Sequence, residues 1–171
     1  MDKQQILEDF EKEFRRIKKE LKFKARLDDL DQAFFLRDAI LTQGYVSPTL
    51  SRQICYRMCD TYNSWVNHFH SILFPATYNL VQNTEASFFT EKEKAHLVQL
   101  MNTCIFLIRK NSLAGIKKDK KIEAAFIDEA LRFWQHEFKP YLILFSEKTY
   151  EGWKNFKNPV DKIERPKAFK E

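Results

Sequence analysis

The fold is decided by residues 47–74, which read SPTLSRQICYRMCDTYNSWVNHFHSILF. Ser47 and Pro48 are residue types that favour the start of a helix, and Pro75 ends the stretch because proline cannot continue a helix. Between them, large apolar side chains recur at intervals of three and four residues, which is the pattern of one helical face. This face consists of Leu50, Ile54, Met58, Tyr62, Trp65, Phe69 and Ile72. Neighbouring apolar residues widen it to nearly half the cylinder, so we expect the central helix of a bundle.

The preceding residues, 1–44, predict an N-terminal helical arm or hairpin. Its first helix carries a narrow apolar seam, which can contact one neighbour, either within the chain or in an oligomer. The seam consists of Ile6, Phe10, Phe14, Ile17 and Leu21. A second helix is expected from Asp28 to Thr42, because Gly44 supplies the left-handed residue that ends many helices. This pair of helices either packs against the bundle or protrudes from it.

Local signals also mark the helices that follow the central one. Thr90 and Glu93 fit a capping box, which predicts the start of a long helix, and Gly115 predicts its end. Asp119 is a candidate cap for the next helix. Pro140 is expected to interrupt that helix and to open a final one, since proline is tolerated in a first helical turn.

Together these patterns predict an all-α protein, an antiparallel bundle of five or six helices. The chain has 16 phenylalanines and only 3 glycines, a composition that disfavours turn-rich β architecture. We expect one domain over residues 1–157, in which residues 45–157 form the core bundle. Residues 158–171 lack helical periodicity and predict a basic C-terminal tail.

The cysteines and the N-terminal residues favour a cytoplasmic protein. The cysteine count is three, and Cys55 and Cys59 are one helical turn apart. That spacing disfavours a structural disulfide and suits buried thiols in a reducing compartment. The N-terminal residues are charged and do not resemble a signal peptide, and no stretch approaches the roughly 20 apolar residues of a membrane span.

Metal-binding and catalytic patterns are weak. Glu93 and His96 form the one Glu-x-x-His pair, whereas di-metal sites in helical bundles use two such pairs. His68 lies at the edge of the central apolar face, where a histidine commonly forms hydrogen bonds at the rim of a core. A second polar set consists of Glu129, Arg132 and His136. We expect no metal, no cofactor and no enzymatic activity.

The net charge of +5 is concentrated in one segment, since residues 109–121 contain six basic residues and one acidic residue. The basic residues are Arg109, Lys110, Lys117, Lys118, Lys120 and Lys121. Cations of this kind contact phosphates, and they also suit an acidic protein. One prediction is therefore an RNA- or DNA-binding helical subunit that uses a basic loop over residues 109–121 and the C-terminal tail.

Apolar residues outside the predicted core faces favour a different function. Phe106 falls on the polar side of its helix, Leu144 is similarly misplaced, and Phe35 and Leu36 add further apolar surface. Apolar residues that the core does not use can mark a contact surface. The preferred prediction is a non-catalytic helical interaction protein, either a subunit of a larger assembly or a homo-oligomer.

Overall fold

The computed structural model describes residues 2–157, and no strand occurs within that range. The helices are α1 (Lys3–Leu21), α2 (Leu27–Phe34), α3 (Leu36–Gln43), α4 (Leu50–Leu73), α5 (Leu80–Ser87), α6 (Glu91–Lys117), α7 (Lys120–Phe133) and α8 (Lys139–Lys154). A π-helical turn, Trp134–Phe138, joins α7 to α8. The all-α prediction is confirmed, whereas five or six helices with a protruding N-terminal pair are not. The predicted tail, residues 158–171, lies outside the described residues.

Helix α4 contributes heavily to the core. Its most extensive contact is with α6, and it also contacts α1, α5 and α7. It begins at Leu50 rather than at Ser47, because the Ser47 hydroxyl accepts a hydrogen bond from the backbone N–H of Thr49 and forms a turn ahead of the helix. Tyr62 and Phe69, on the predicted face of α4, are completely buried and contact the aromatic ring of Phe138.

The narrow seam of α1 is buried within the chain. All five seam residues belong to the same core as α4, and α1 packs against α3, α4 and α7. The segment after α1 is also fixed, because the Asp128 carboxylate of α7 accepts hydrogen bonds from the backbone N–H groups of Lys24 and Ala25 at 2.8 and 2.9 Å. The seam therefore serves intramolecular packing.

The predicted second helix is divided into α2 and α3. The backbone turns at Phe35, which has a left-handed φ of 53°. Asp31 stabilises the turn, since its carboxylate accepts a hydrogen bond from the backbone N–H of Arg37 and forms an ion pair with that side chain. Gly44 ends α3 with a φ of 81°, as its residue type predicted.

Two sequence signals around α6 have different outcomes. The capping box of Thr90 and Glu93 is present at the start of α6. Gly115 does not end the helix, which continues to Lys117 and closes with Lys118 in the left-handed conformation. The predicted basic loop is therefore wrong over most of its length. Asp119 caps α7 as predicted, by accepting hydrogen bonds from two backbone N–H groups of its first turn.

The chain passes from α7 into α8 without a loop. In the π-helical turn the backbone N–H of Lys139 donates to the carbonyl oxygen of Trp134, five residues earlier. Pro140 lies in the first turn of α8, where its missing N–H leaves no intrahelical hydrogen bond unmade. The expected interruption is thus a change of helical pitch.

Candidate protein-binding surface

The outer face of α6 carries four exposed apolar side chains, which we call the α6 stripe. They are Ile105, Phe106, Leu113 and Ile116, with exposed fractions of 37%, 58%, 44% and 82%. At about 100° per residue, the other three lie about 100°, 80° and 20° around the helix from Ile105. They consequently share one side of the cylinder.

This stripe lies opposite the side of α6 that enters the core. The buried residues of the helix are Leu97, Leu100, Cys104, Leu107, Asn111 and Ala114. With the same rotation per residue, the centre of that buried face is about 180° from the centre of the stripe. Helix α6 is thus apolar on two sides, and among residues 2–157 only the inner side is packed against other helices. An amphipathic helix that served the fold alone would present polar residues outward.

Positive charge accompanies the stripe. Arg109 lies within it, about 40° from Ile105, and forms no ion pair with any residue between 2 and 157. Lys117 is exposed at the C-terminal end of the same helix. The sequence from Asn102 to Lys117 contains no aspartate or glutamate. The exposed face therefore carries apolar, cationic and uncharged polar side chains such as Asn102, but no acidic one between Asn102 and Lys117.

The other predicted cations have separate roles. Lys110 lies at the side of α6 and pairs with Glu129 of α7. Lys120 pairs with Glu20 of α1, Lys118 lines a pocket beside Arg52, and Lys121 is exposed. The six basic residues do not form one continuous patch.

The predicted contact residues are dispersed in the structure. Phe106 is exposed on α6, Leu144 is exposed on α8, and Phe35 is exposed at the junction of α2 and α3. Leu36 is wrong as a surface residue, because it is 3% exposed and belongs to the core. Its neighbour Phe35 takes the left-handed conformation, which turns the next side chain inward.

Sequence reasoning missed most of the stripe for identifiable reasons. Ile105 follows Cys104 in an apolar run, so the pattern alone assigned it to the core face. Leu113 and Ile116 lie close to Gly115, where the helix was expected to end. A second exposed apolar set, in the connection from α4 to α5 and the first turn of α5, was also missed because it lies near loop signals. That set comprises Phe74, Tyr78, Leu80 and Val81.

Of the residues considered for metal or acid–base chemistry, Glu93, His68 and Glu129 have structural partners, whereas Arg132 and His136 are exposed. Glu93 accepts hydrogen bonds from Thr90 and pairs with Lys148, and the Lys148 ammonium group is the main reason that the pKa of Glu93 falls to about 2. The His68 ring packs against Trp65 and Phe145. Between residues 2 and 157, no three His, Cys, Asp or Glu side chains lie close enough together to hold a metal ion.

The cysteine thiols are poorly suited to nucleophilic chemistry. All three are free and buried. Burial raises the pKa of Cys59 to about 11 and that of Cys104 to about 12, and it raises the pKa of Cys55 further still. Because the thiolate is the reactive form, these side chains act as small apolar groups of the core.

None of the protein families, curated proteins or solved structures compared with this chain matches it. Within residues 2–157, every helix is too short or too polar to cross a membrane. The functional argument consequently rests on the surface described above.

Proposed function

We propose that this protein is a non-catalytic interaction protein, a subunit of a larger assembly that binds an acidic amphipathic helix of a partner protein on the α6 stripe. One observation carries the proposal: an exposed apolar stripe with a central cation lies on the side of α6 opposite the core. Exposed apolar side chains grouped on one face of a helix can mark a protein contact.

The dimensions of the stripe suit a helical partner. Ile105 and Ile116 are eleven residues apart, which corresponds to about 17 Å along the helix axis, or three turns. A partner helix can bind such a surface with apolar residues that are three, four and seven positions apart. Phe106 is the aromatic residue of the stripe, and aromatic anchors commonly dominate the binding energy of an interface.

Charge determines the preferred kind of partner. Arg109 and Lys117 give the face two positive charges, and the sequence from Asn102 to Lys117 contains no acidic residue. A second copy of this chain would bring like charges together, and like charges across an interface are unfavourable. A partner with an acidic residue facing Arg109 would gain a complementary pair. We therefore favour a different protein over a homo-oligomer.

A protein partner is favoured over RNA or DNA by the side chains themselves. Bases stack on flat aromatic rings, but Ile105, Leu113 and Ile116 are aliphatic and branched. Two of the predicted phosphate contacts, Lys110 and Lys120, already pair with carboxylates. We place the interaction in the cytoplasm, because buried free thiols suit a reducing compartment.

Selection of helical peptides displayed on phage would test this proposal. On the purified protein we expect peptides with apolar residues at helical spacing and a central glutamate or aspartate. Phe106→Glu should abolish their binding, because it places a charge at the anchor. Leu144→Glu is the matched control, since Leu144 is similarly exposed but lies on α8, and it should leave binding intact.

Three results would contradict the proposal. Selected peptides could lack a common acidic and apolar pattern, or they could bind the Phe106→Glu variant as well as the original protein. The third contradicting result would come from light scattering after size exclusion, measured at low and high salt. Nucleic acid that co-purifies at low salt and leaves at high salt would instead support the RNA- or DNA-binding function, since phosphate contacts are strongly salt-dependent.

A further inference from the structure

A cavity of about 340 Å³ lies where four helix ends converge, and we call it the Arg52 pocket. The C-terminal ends of α1 and α6 and the N-terminal ends of α4 and α7 form its walls. Its volume falls within the range of small-molecule sites. The pocket lies apart from the stripe residues, none of which lines it.

The guanidinium group of Arg52 is held in the pocket with few partners. Its side chain is 19% exposed, and its hydrogen bonds to Glu123 Oε2 and to the Asn111 carbonyl oxygen are long, at 3.5 and 3.4 Å. The ring of Tyr56 lies 5.0 Å from the guanidinium carbon. Because an arginine has five N–H donors, these contacts leave donors of the guanidinium group available to a ligand.

Gly115 makes room for this guanidinium. A Cβ atom at position 115 would lie 2.8 Å from Nη2 of Arg52. Glycine lowers helix propensity, yet Gly115 lies inside α6 and has a helical φ. Its presence is explained by the space that Arg52 occupies.

Glu123 supplies a second unsatisfied group. It lines the pocket, is 6% exposed, and its Oε1 atom has no hydrogen-bond partner in the described part of the chain. Buried polar atoms in proteins nearly always have a partner. A carboxylate oxygen accepts hydrogen bonds, so the missing partner is a donor such as an ammonium or hydroxyl group.

The electrostatics of the pocket favour an anion on the side away from Glu123. Four cationic and two acidic side chains line it, which gives a net charge of +2. They are Arg16, Arg52, Lys118, Lys120, Glu20 and Glu123. The N-terminus of α4 also opens on the pocket, and its cap residue Thr49 makes no side-chain cap hydrogen bond. Free N–H groups at a helix N-terminus bind phosphate readily.

We propose that the Arg52 pocket binds a small phosphomonoester that also carries an amino group. The phosphate would contact Arg52 and the first-turn N–H groups of α4, and the amino group would donate to Glu123. The phosphate group carries a charge of about −1.5 to −2 at neutral pH and the amino group about +1, so the ligand as a whole is an anion, which suits a pocket of net charge +2. This inference is independent of the proposed function, because it uses no residue of the α6 stripe.

Isothermal titration calorimetry with O-phosphoethanolamine and inorganic phosphate tests the assignment. We expect phosphoethanolamine to bind at least about tenfold more tightly, because a charge-assisted hydrogen bond to Glu123 adds that much. Glu123→Gln should remove the preference while phosphate still binds. Gly115→Ala should displace Arg52 and weaken both probes by about tenfold or more.

Lys121→Ala is the matched control, since Lys121 is an exposed cation next to Lys120 but does not line the pocket. It should leave both affinities unchanged. Circular dichroism melting would show that each variant is folded at the temperature of the titrations. Failure of both probes to bind at millimolar concentration would overturn the inference. Equal weakening by Gly115→Ala and Lys121→Ala would also overturn it, since binding would then reflect diffuse surface charge.

Discussion

The hydroxyl group of Tyr62 donates a 2.6 Å hydrogen bond to the carbonyl oxygen of Ala130, and both residues are completely buried. This bond joins α4 to α7 immediately before the π-helical turn. The Ala130 carbonyl oxygen also accepts from the backbone N–H of Trp134. The bond therefore ties α4 to the end of α7, next to the π-helical turn that leads into α8.

Tyr62→Phe should lower the free energy of unfolding by about 1 kcal/mol, the typical net value of one hydrogen bond. The loss stays moderate because Ala130 retains its bond from Trp134. Urea unfolding followed by circular dichroism measures the difference. Tyr150→Phe is the control, since Tyr150 is exposed and its change should cost nothing measurable. Equal effects of the two changes would show that the buried bond does not stabilise the fold.

Gly152→Ala should destabilise the protein even though alanine favours helix. A Cβ atom at position 152 would lie 2.4 to 2.7 Å from ring carbons of Phe88, and the ring of Phe88 packs edge-on against Trp153. Overpacking of this kind costs about 1–3 kcal/mol. Thermal melting should place Gly152→Ala below Gly115→Ala, because the clash at position 115 falls on the terminal Nη2 atom of Arg52 and not on a packed aromatic ring. A lower melting temperature for Gly115→Ala than for Gly152→Ala would mean that the ring of Phe88 does not pack against α8 at Gly152.

Acid should weaken the contact between α6 and α8. The Lys148 ammonium group and the hydrogen bonds from Thr90 lower the pKa of Glu93 to about 2, from an ordinary value of 4.5. A carboxylate with a lowered folded-state pKa stabilises the fold fully above pH 4.5, and this contribution shrinks as the pH falls and is lost as the pH passes through about 2. The melting temperature of Glu93→Gln should therefore lie below that of the original protein at pH 6, and the gap should narrow steadily between pH 4.5 and pH 2. A gap that stays constant over this range would contradict the assignment.

The three thiols should react only when the protein opens. Burial raises the pKa of each thiol above its ordinary range, and the thiolate is the species that attacks a disulfide reagent. At pH 8 we expect Ellman's reagent to label no cysteine quickly in the folded protein and all three in denaturant. Rapid labelling of one thiol under native conditions would reveal an exposed or activated cysteine.

Local signals predicted the structure well where a few neighbouring residues decide it. The apolar face of α4, the capping box at Thr90 and Glu93, and the left-handed turn at Gly44 all depend on short-range chemistry. Each appears in the structure as its residue types indicate.

Features that depend on distant contacts were not predictable in the same way. The glycine at position 115 resembles a helix end, but it accommodates Arg52 from another helix. Phe35 breaks a helix without any glycine, because Asp31 and Arg37 stabilise the turn. Within the candidate surface, the sequence pattern alone identifies Phe106 as an exposed apolar residue, because it interrupts a polar face. Ile116 could be assigned to the same surface only after the structure had shown that α6 continues past Gly115.

Photo-crosslinking in the cell that makes the protein tests the central claim most directly. Leu113 is replaced by p-benzoylphenylalanine to place the probe in the α6 stripe, and Ile143, an exposed apolar residue of α8, is replaced in the control. We predict an adduct at position 113 whose cross-linked segment, identified by mass spectrometry, is an acidic amphipathic helix of another protein. Position 143 should give no such adduct. Equal adducts at both positions, or nucleic acid as the species joined to position 113, would contradict the account.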